Sequence, residues 1–313
     1  MITALCMNPC IDRTINLKTF TYGGMNRVAS SREDGAGKGV NVALAGKQAG
    51  IPMACIGLLG QERGEAVTRR LAEAGVPFAF VPTPGAVRMN IKLFDEAAGQ
   101  ITEINEPGAP VSPQTLGDMV DMCVDWAKKS RVLILTGSLP AGCPADFYAR
   151  VMDRLRGEAP ACRIAVDAEG ERLACTLDKR PWLIKPNRYE LELLAGRSLP
   201  ELSDVADEGR RLLDRGVENV IISLGSEGAL ALSAADAWYA PVIPCQVAST
   251  VGAGDSMLAA AAAALADGLS LPEALRRGCA LATAAVATPG TGRIDREKYE
   301  AFLKLAHVRT FKG

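Results

Sequence analysis

Four short apolar runs, each leaving into small or polar residues and then into helical sequence, constrain this chain more than any other feature. They are residues 131–136 (RVLILT) before Gly137-Ser138-Leu139-Pro140, 163–166 (RIAV) before Asp167, 182–185 (WLIK) before Pro186-Asn187, and 220–223 (VIIS) before Leu224-Gly225. Continuous apolar strands alternating with helices are the pattern of parallel strands buried on both faces, so the fold class is α/β with a doubly wound sheet. In such sheets ligands bind beyond the carboxyl ends of the strands, which puts Ser138, Asp167, Asn187 and Gly225 on one functional edge. The first third reads differently. Residues 2–6 form a first strand, 14–19 and 27–30 short strands around Gly23-Gly24, and 87–94 and 101–104 alternate in the β manner around Gly99-Gln100. Helical sequence over 38–49 and 62–74 flanks an apolar segment at 53–59. The two β patches, residues 12–32 and 86–106, therefore predict a small sheet inserted in a single 313-residue domain. That sheet is either a lid over a ligand or an edge ribbon without a role.

Composition narrows the chemistry. Lys+Arg total 35 against 36 Asp+Glu, a net charge of −1, so neither nucleic acid nor an anionic membrane is indicated as a bulk partner. The only histidine is His307, which leaves a carboxylate, Lys, Tyr or Cys as any general base. The nine cysteines are odd in number, include no C-x-x-C and sit mostly in apolar segments, as expected of reduced residues in a cytoplasmic protein. The longest apolar run, residues 257–266, is far short of a bilayer span, and the N-terminus has no basic region of the signal-peptide kind.

Five segments carry candidate chemistry. In Ser249-Thr250-Val251-Gly252-Ala253-Gly254-Asp255-Ser256 a glycine-rich turn opens into an alanine-rich helix, which makes an anion hole. Asp255 in its first turn is either a helix cap or a base that takes a hydroxyl proton during phosphoryl transfer. Gly35, Gly37 and Gly39 surround Lys38 before a second helix. The spacing is neither G-x-x-x-x-G-K-[ST] nor G-x-G-x-x-G, yet Lys38 and Asn41 lie one turn apart and can face one ligand. Asp12 and Arg13, in NPCIDR, suit sugar hydroxyls and a phosphate, or a solvated ion pair. Asn187 and Glu190, in KPNRYE, suit Mg²⁺–nucleotide phosphates, or a capping box. Ser223, Gly225 and Gly228, in ISLGSEG, let a nucleotide approach the backbone, or form a plain turn.

Together these segments resemble the PfkB, or ribokinase, family of ATP-dependent sugar kinases. The resemblance runs from Asn8 to about Gly292 with the motifs in family order: GAGKGVNVA at 35–43 and STVGAGDS at 249–256 are the two signatures. NPCIDR, TGSLPAG, WLIKPNRYELE and ISLGSEGAL resemble the phosphosugar branch. The resemblance implies a ribokinase-like three-layer α/β/α sandwich with a mostly parallel sheet and a small β lid used for homodimerisation. It implies ATP and Mg²⁺, and γ-phosphoryl transfer to a ketohexose phosphate. Fructose 1-phosphate is the expected acceptor, followed by tagatose 6-phosphate and fructose 6-phosphate; the alternative outside enzymes is a non-catalytic sugar-phosphate sensor. Carried over by position, Asp255 is the base, and Gly252, Ala253 and Gly254 form the anion hole. Asp12, Gly37 and Asn41 hold the sugar, while Arg27, Lys38, Arg88 and Ser138 meet its phosphate. Lys185, Asn187, Ser223, Gly225, Gly228 and Thr250 face the nucleotide, and Glu190 holds Mg²⁺ through water. The late-helix Asn of many family members is missing from ALATAA at 280–285, where Thr283 is the candidate substitute.

Overall fold

A computed structural model describes residues 1–289 and 293–312. The resemblance's far end at Gly292 lies outside these residues. A ten-stranded sheet has the order β14 (Arg309–Thr310), β13 (Ala237–Ala240), β12 (Ala229–Leu232), β11 (Asn219–Ser223), β10 (Leu183–Ile184), β9 (Arg163–Asp167), β8 (Val132–Thr136), β1 (Ile2–Cys6), β4 (Met53–Glu62) and β5 (Phe78–Ala86). From β11 to β5 every neighbouring pair is parallel, while β12, β13 and β14 extend the sheet antiparallel. The four apolar runs expected as strands are β8, β9, β10 and β11. The edge strand β5 and the antiparallel β12 to β14 were not anticipated.

Alternation along β1 shows why both faces are covered. Ile2, Ala4 and Ile134 pack with Val40 and Leu44 of α1 (Lys38–Gln48), Leu258 and Ala261 of α8 (Ala253–Ala266) and Leu275 of α9 (Leu271–Val286). Leu5, Leu133 and Leu135 face the other way. They meet Met119 of α3 (Pro113–Ala127), Val151 of α4 (Phe147–Glu158), Leu173 of α5 (Glu171–Leu177), Leu191 of α6 (Arg188–Ala195) and Val205 of α7 (Leu202–Asp214). The result is a three-layer α/β/α sandwich. Two further helices join the first side: Val67 and Leu71 of α2 (Glu65–Glu73) belong to that cluster, and Tyr299 and Phe302 of α10 (Arg296–Leu305) pack against it. No helix among the described residues is long and apolar enough to cross a membrane. All nine cysteines are free. Cys6, Cys10, Cys55, Cys123, Cys162 and Cys279 are buried, and Cys143, Cys175 and Cys245 are partly exposed.

From β1 the chain builds β4 and β5 to one side and β8 to β11 to the other, so the strand order reverses between β1 and β8. A crevice outside the carboxyl ends of the strands is the geometric consequence. A second sheet, in the order β3 (Val28–Ala36), β2 (Cys10–Leu17), β6 (Arg88–Asp95) and β7 (Gln100–Asn105), stands over that crevice. It is the small sheet expected from the two β patches, although β2 starts at Cys10 and β3 continues to Ala36, directly before Gly37. Pairing aligns Asp12 with Asn90, and Asn90 with Asn105; Lys92 pairs with Glu103. Strand alternation then puts Cys10, Asp12, Arg88, Asn90, Lys92, Glu103 and Asn105 on one face, toward the crevice. Ile15, Ile91, Leu93 and Ile104 fall on the other.

Candidate active site

A cavity of about 630 Å³ lies between the strand ends and the small sheet. Five core strands deliver a residue to it at their carboxyl ends: Cys6 from β1, Thr136 from β8, Asp167 from β9, Lys185 just beyond β10 and Ser223 from β11. Two helix starts complete it. Gly37 precedes α1 with φ 132°, and a Cβ there would lie 2.7 Å from the Cys6 sulfur, so only glycine lets α1 begin this close to β1. Lys38 and Asn41 on its first turn therefore face the cavity. Gly252, with φ 85°, turns the chain into α8, and no side chain among the described residues caps that helix. The first-turn amides and the positive end of the helix dipole consequently face the cavity, with Gly254 and Asp255 lining it.

Asp255 is buried, and burial raises its pKa to about 6 although the Lys38 ammonium works against the rise. Asn41 Nδ2 donates to Asp255 Oδ2 at 3.2 Å. The other end of that amide, Oδ1, is buried without a partner among the described residues. Flipping the amide would set its oxygen against the carboxylate, so the orphan acceptor is a fixed feature, suited to a hydroxyl donor. Asp167 sits between two lysines, 3.5 Å from Lys38 Nζ and 3.3 Å from Lys185 Nζ. Burial pushes its carboxyl upward, but the two ammonium groups outweigh burial and hold it below its ordinary value. Asp167 in turn raises Lys38. A Cβ on Gly254 would come 3.2 Å from Lys185 Nζ, so that ammonium stands beside the α8 amides.

Asn187 and Glu190 form a reciprocal capping box at the start of α6. Glu190 N–H donates to Asn187 Oδ1 at 2.8 Å, and Asn187 N–H donates to Glu190 Oε2 at 2.9 Å. Both also line the cavity, and burial together with Asp167 raises the Glu190 pKa. On the small sheet, Arg88 is held by backbone: Nε donates to the Asn8 carbonyl at 3.3 Å and Nη1 to the Glu106 carbonyl at 2.9 Å. Among the described residues nothing bonds its Nη2 end. Ser138 Oγ accepts from Asn8 Nδ2 at 3.2 Å. Asp12 Oδ2 takes Lys92 Nζ at 2.6 Å, both side chains being buried.

The structure thus brings Asp12, Gly37, Lys38, Asn41, Arg88, Ser138, Lys185, Asn187, Glu190, Ser223, Gly252, Gly254 and Asp255 to one cavity. It does not bring Arg27. That residue is exposed just before β3, on the edge strand of the small sheet, where the chain has not yet turned toward the crevice. Thr250 is exposed, and Ala253 begins α8 without lining the cavity. Gly225 and Gly228 belong to a turn after β11 outside the lining, and both have positive φ. The Gly228 position abuts the Ala240 carbonyl, so a tight backbone turn accounts for that glycine. Thr283 Oγ1 donates to the Cys279 carbonyl of its own helix at 2.8 Å. Sequence reasoning missed Asn90, Lys92, Glu103 and Asn105, and named Asp167 only as a strand end.

A pfkB family carbohydrate kinase signature matches residues 6–298. Among curated proteins, 1-phosphofructokinase of Escherichia coli strain K12 is 34% identical, over 99% of this chain and 98% of that protein. The 1-phosphofructokinase of Rhodobacter capsulatus is 35% identical with the same shares covered. Among solved structures, phosphofructokinase-2 from Escherichia coli in complex with substrates and products superposes with a TM-score of 0.91, at 28% identity, over 97% of this chain and 98% of that one.

Proposed function

Because this chain belongs to the pfkB family of carbohydrate kinases, and is an ATP-dependent sugar-phosphate kinase, we propose that it phosphorylates the C6 hydroxyl of fructose 1-phosphate, giving fructose 1,6-bisphosphate and ADP. The observation that carries the assignment of roles is the buried pair Asn41–Asp255 at the mouth of the uncapped α8 helix. An acceptor hydroxyl placed there donates to Asp255, which is ionised above about pH 6 and takes its proton as the phosphoryl group arrives. Asn41 keeps Oδ2 oriented. The amides of Gly252 and Gly254 and the Lys185 ammonium beside Gly254 stabilise the charge on the transferred group. Asp12 and Asn41 Oδ1 are left to bind the other sugar hydroxyls, and Arg88, through Nη2, the existing phosphate.

Six carboxylates against four cations line the cavity: Asp12, Glu103, Asp167, Glu169, Glu190 and Asp255 against Lys38, Arg88, Lys92 and Lys185. Two anionic substrates entering such a site need added positive charge, and the excess acid fits Mg²⁺. Among the described residues no cluster forms a protein-only metal cage, in keeping with a cation that keeps waters and substrate phosphates as ligands. Glu190 would hold it through water. When bound with ATP, Mg²⁺ supplies charge neutralisation on the phosphates. The small sheet is read as a lid over the sugar. Its outer apolar residues Ile15, Ile91, Leu93 and Ile104, the last 54% exposed, are read as a homodimer surface.

One panel tests the substrate. ADP release is followed with fructose 1-phosphate, fructose 6-phosphate, tagatose 6-phosphate, fructose and ribose. The highest kcat/KM is expected for fructose 1-phosphate. Likeness to phosphofructokinase-2 from Escherichia coli, which has been solved in complex with fructose 6-phosphate, favours that sugar as the second reading, and a preference for it would replace the first. The absence of ADP release with every sugar of the panel would favour the non-catalytic sensor.

A further inference from the structure

Arg88, Asn90 and Lys92 alternate along β6 on the face turned to the cavity, and the parallel pairing sets Cys10 and Asp12 of β2 beside them. Their side chains form one continuous chain of hydrogen bonds. Arg88 Nη1 donates to Asn90 Oδ1 at 3.1 Å. Asn90 Nδ2 donates to Asp12 Oδ1 at 3.3 Å and to the Cys10 sulfur at 3.2 Å. The Cys10 thiol itself donates to Asp12 Oδ1 at 3.4 Å, and Lys92 closes the far side of the carboxylate. The amide fits one way only. Reversed, its NH₂ would face the guanidinium and its oxygen the carboxylate, donor against donor and acceptor against acceptor. Asn90 is therefore a link of fixed length and polarity. It joins an arginine already anchored on two backbone carbonyls to a carboxylate already gripped by a lysine.

We infer that Asn90 is a specificity-determining positioning residue, whose amide sets the distance between the group that holds the sugar's phosphate and the group that reads its hydroxyls. The inference rests on the proposed roles of Arg88 and Asp12. Two fructose monophosphates carry the same charge and nearly the same hydroxyls, differing in where the phosphate stands along the chain. Net charge in the cavity cannot separate them. A rigid spacing between cation and carboxylate can, because a phosphate at the wrong end leaves either the guanidinium or the carboxylate without its partner. Removing the amide leaves Arg88 on its carbonyls and Asp12 on Lys92, so binding of a sugar phosphate persists, but the two groups become free to move relative to each other.

The test measures kcat/KM for fructose 1-phosphate, fructose 6-phosphate and fructose, together with KM for ATP, in wild type, Asn90→Ala, Asn90→Gln, Arg88→Ala and the double variant Arg88→Ala/Asn90→Ala. Asn90→Gln keeps the amide but lengthens the link by a methylene, which guards against an alanine variant that does not fold. Either single change at Asn90 is expected to shrink the ratio between the two fructose monophosphates by at least ~10-fold, the scale on which a misplaced polar contact is felt, with KM for ATP unchanged. In the Arg88→Ala background the same change should leave the ratio where it was. A loss shared equally by all three sugars, an unaltered ratio, or an equal further fall in the Arg88→Ala background would overturn the inference alone. A wild type that prefers unphosphorylated fructose would overturn the proposed substrate and this inference with it.

Discussion

Asp255 is asked to be a carboxylate in a place that resists charge. Burial raises its pKa from 3.8 to about 6, so the folded chain binds this proton more tightly than the unfolded one. The sign follows: its ionisation costs stability above about pH 6, and the cost disappears below the ordinary carboxyl range. Asp255→Asn is accordingly expected to lower kcat by at least ~10², the scale of a lost positioned base, while raising the thermal midpoint at about pH 8 and not at about pH 4. Calorimetry beside steady-state assays checks both halves, and a variant retaining half of wild-type kcat refutes the assignment. In wild type, kcat/KM for the sugar phosphate should fall as pH drops through about 6. Arg88, on β6 of the small sheet, is the proposed ligand of the existing phosphate. Arg88→Ala should raise KM for the sugar phosphate roughly 10²-fold, the loss of one charge-assisted contact, with KM for ATP steady. Equal movement of the two KM values would place Arg88 outside the phosphate site.

The α8 start shows what an element adds to its residues. Gly254 has ordinary helical backbone, so glycine is not required there by φ; it is the Lys185 ammonium 3.2 Å from the virtual Cβ that makes the position tight. Gly254→Val is expected to abolish most kcat by filling the phosphoryl's path, with circular dichroism near wild type. Global unfolding would instead mark the glycine as a packing residue. Elements also show where sequence stops being readable. The core strands were legible because β-branched runs with both faces buried have no other home, and α1 and α8 because glycine-rich turns preceded them. Strand β12, ALAL, was not: it lacks β-branched residues, and only its neighbours make it a strand. Asn90 and Lys92 were written plainly in RMNIKLFD, where polar residues at 88, 90 and 92 share a face opposite Met89, Ile91 and Leu93. What sequence withheld was register, since only pairing with β2 shows that this face meets Asp12. The misplacement of Arg27 has the same origin: composition marks an arginine near a β patch, but not that it precedes an edge strand.

At the scale of the molecule, charge is nearly balanced overall yet acidic in the cavity. Stripping divalent cations with a chelator should abolish ADP release while sugar-phosphate binding, followed by calorimetry, survives, because Arg88 and Asp12 do not depend on the metal. Loss of sugar binding as well would move the metal to the sugar subsite. Outside the cavity, the homodimer surface proposed on the far face of the small sheet predicts that Ile104→Glu shifts a dimer to a monomer in light scattering, through burial of an unpaired charge at such a contact. An unchanged mass would remove that face from the interface.

The cysteines make the fold its own reporter. With Cys143, Cys175 and Cys245 the only partly exposed thiols, and six more buried, a brief pulse of a thiol-alkylating reagent stamps each molecule with its history. Native copies carry few adducts and copies that have opened carry many, so a mass spectrum of the pulsed sample counts openings without a probe being added to the chain.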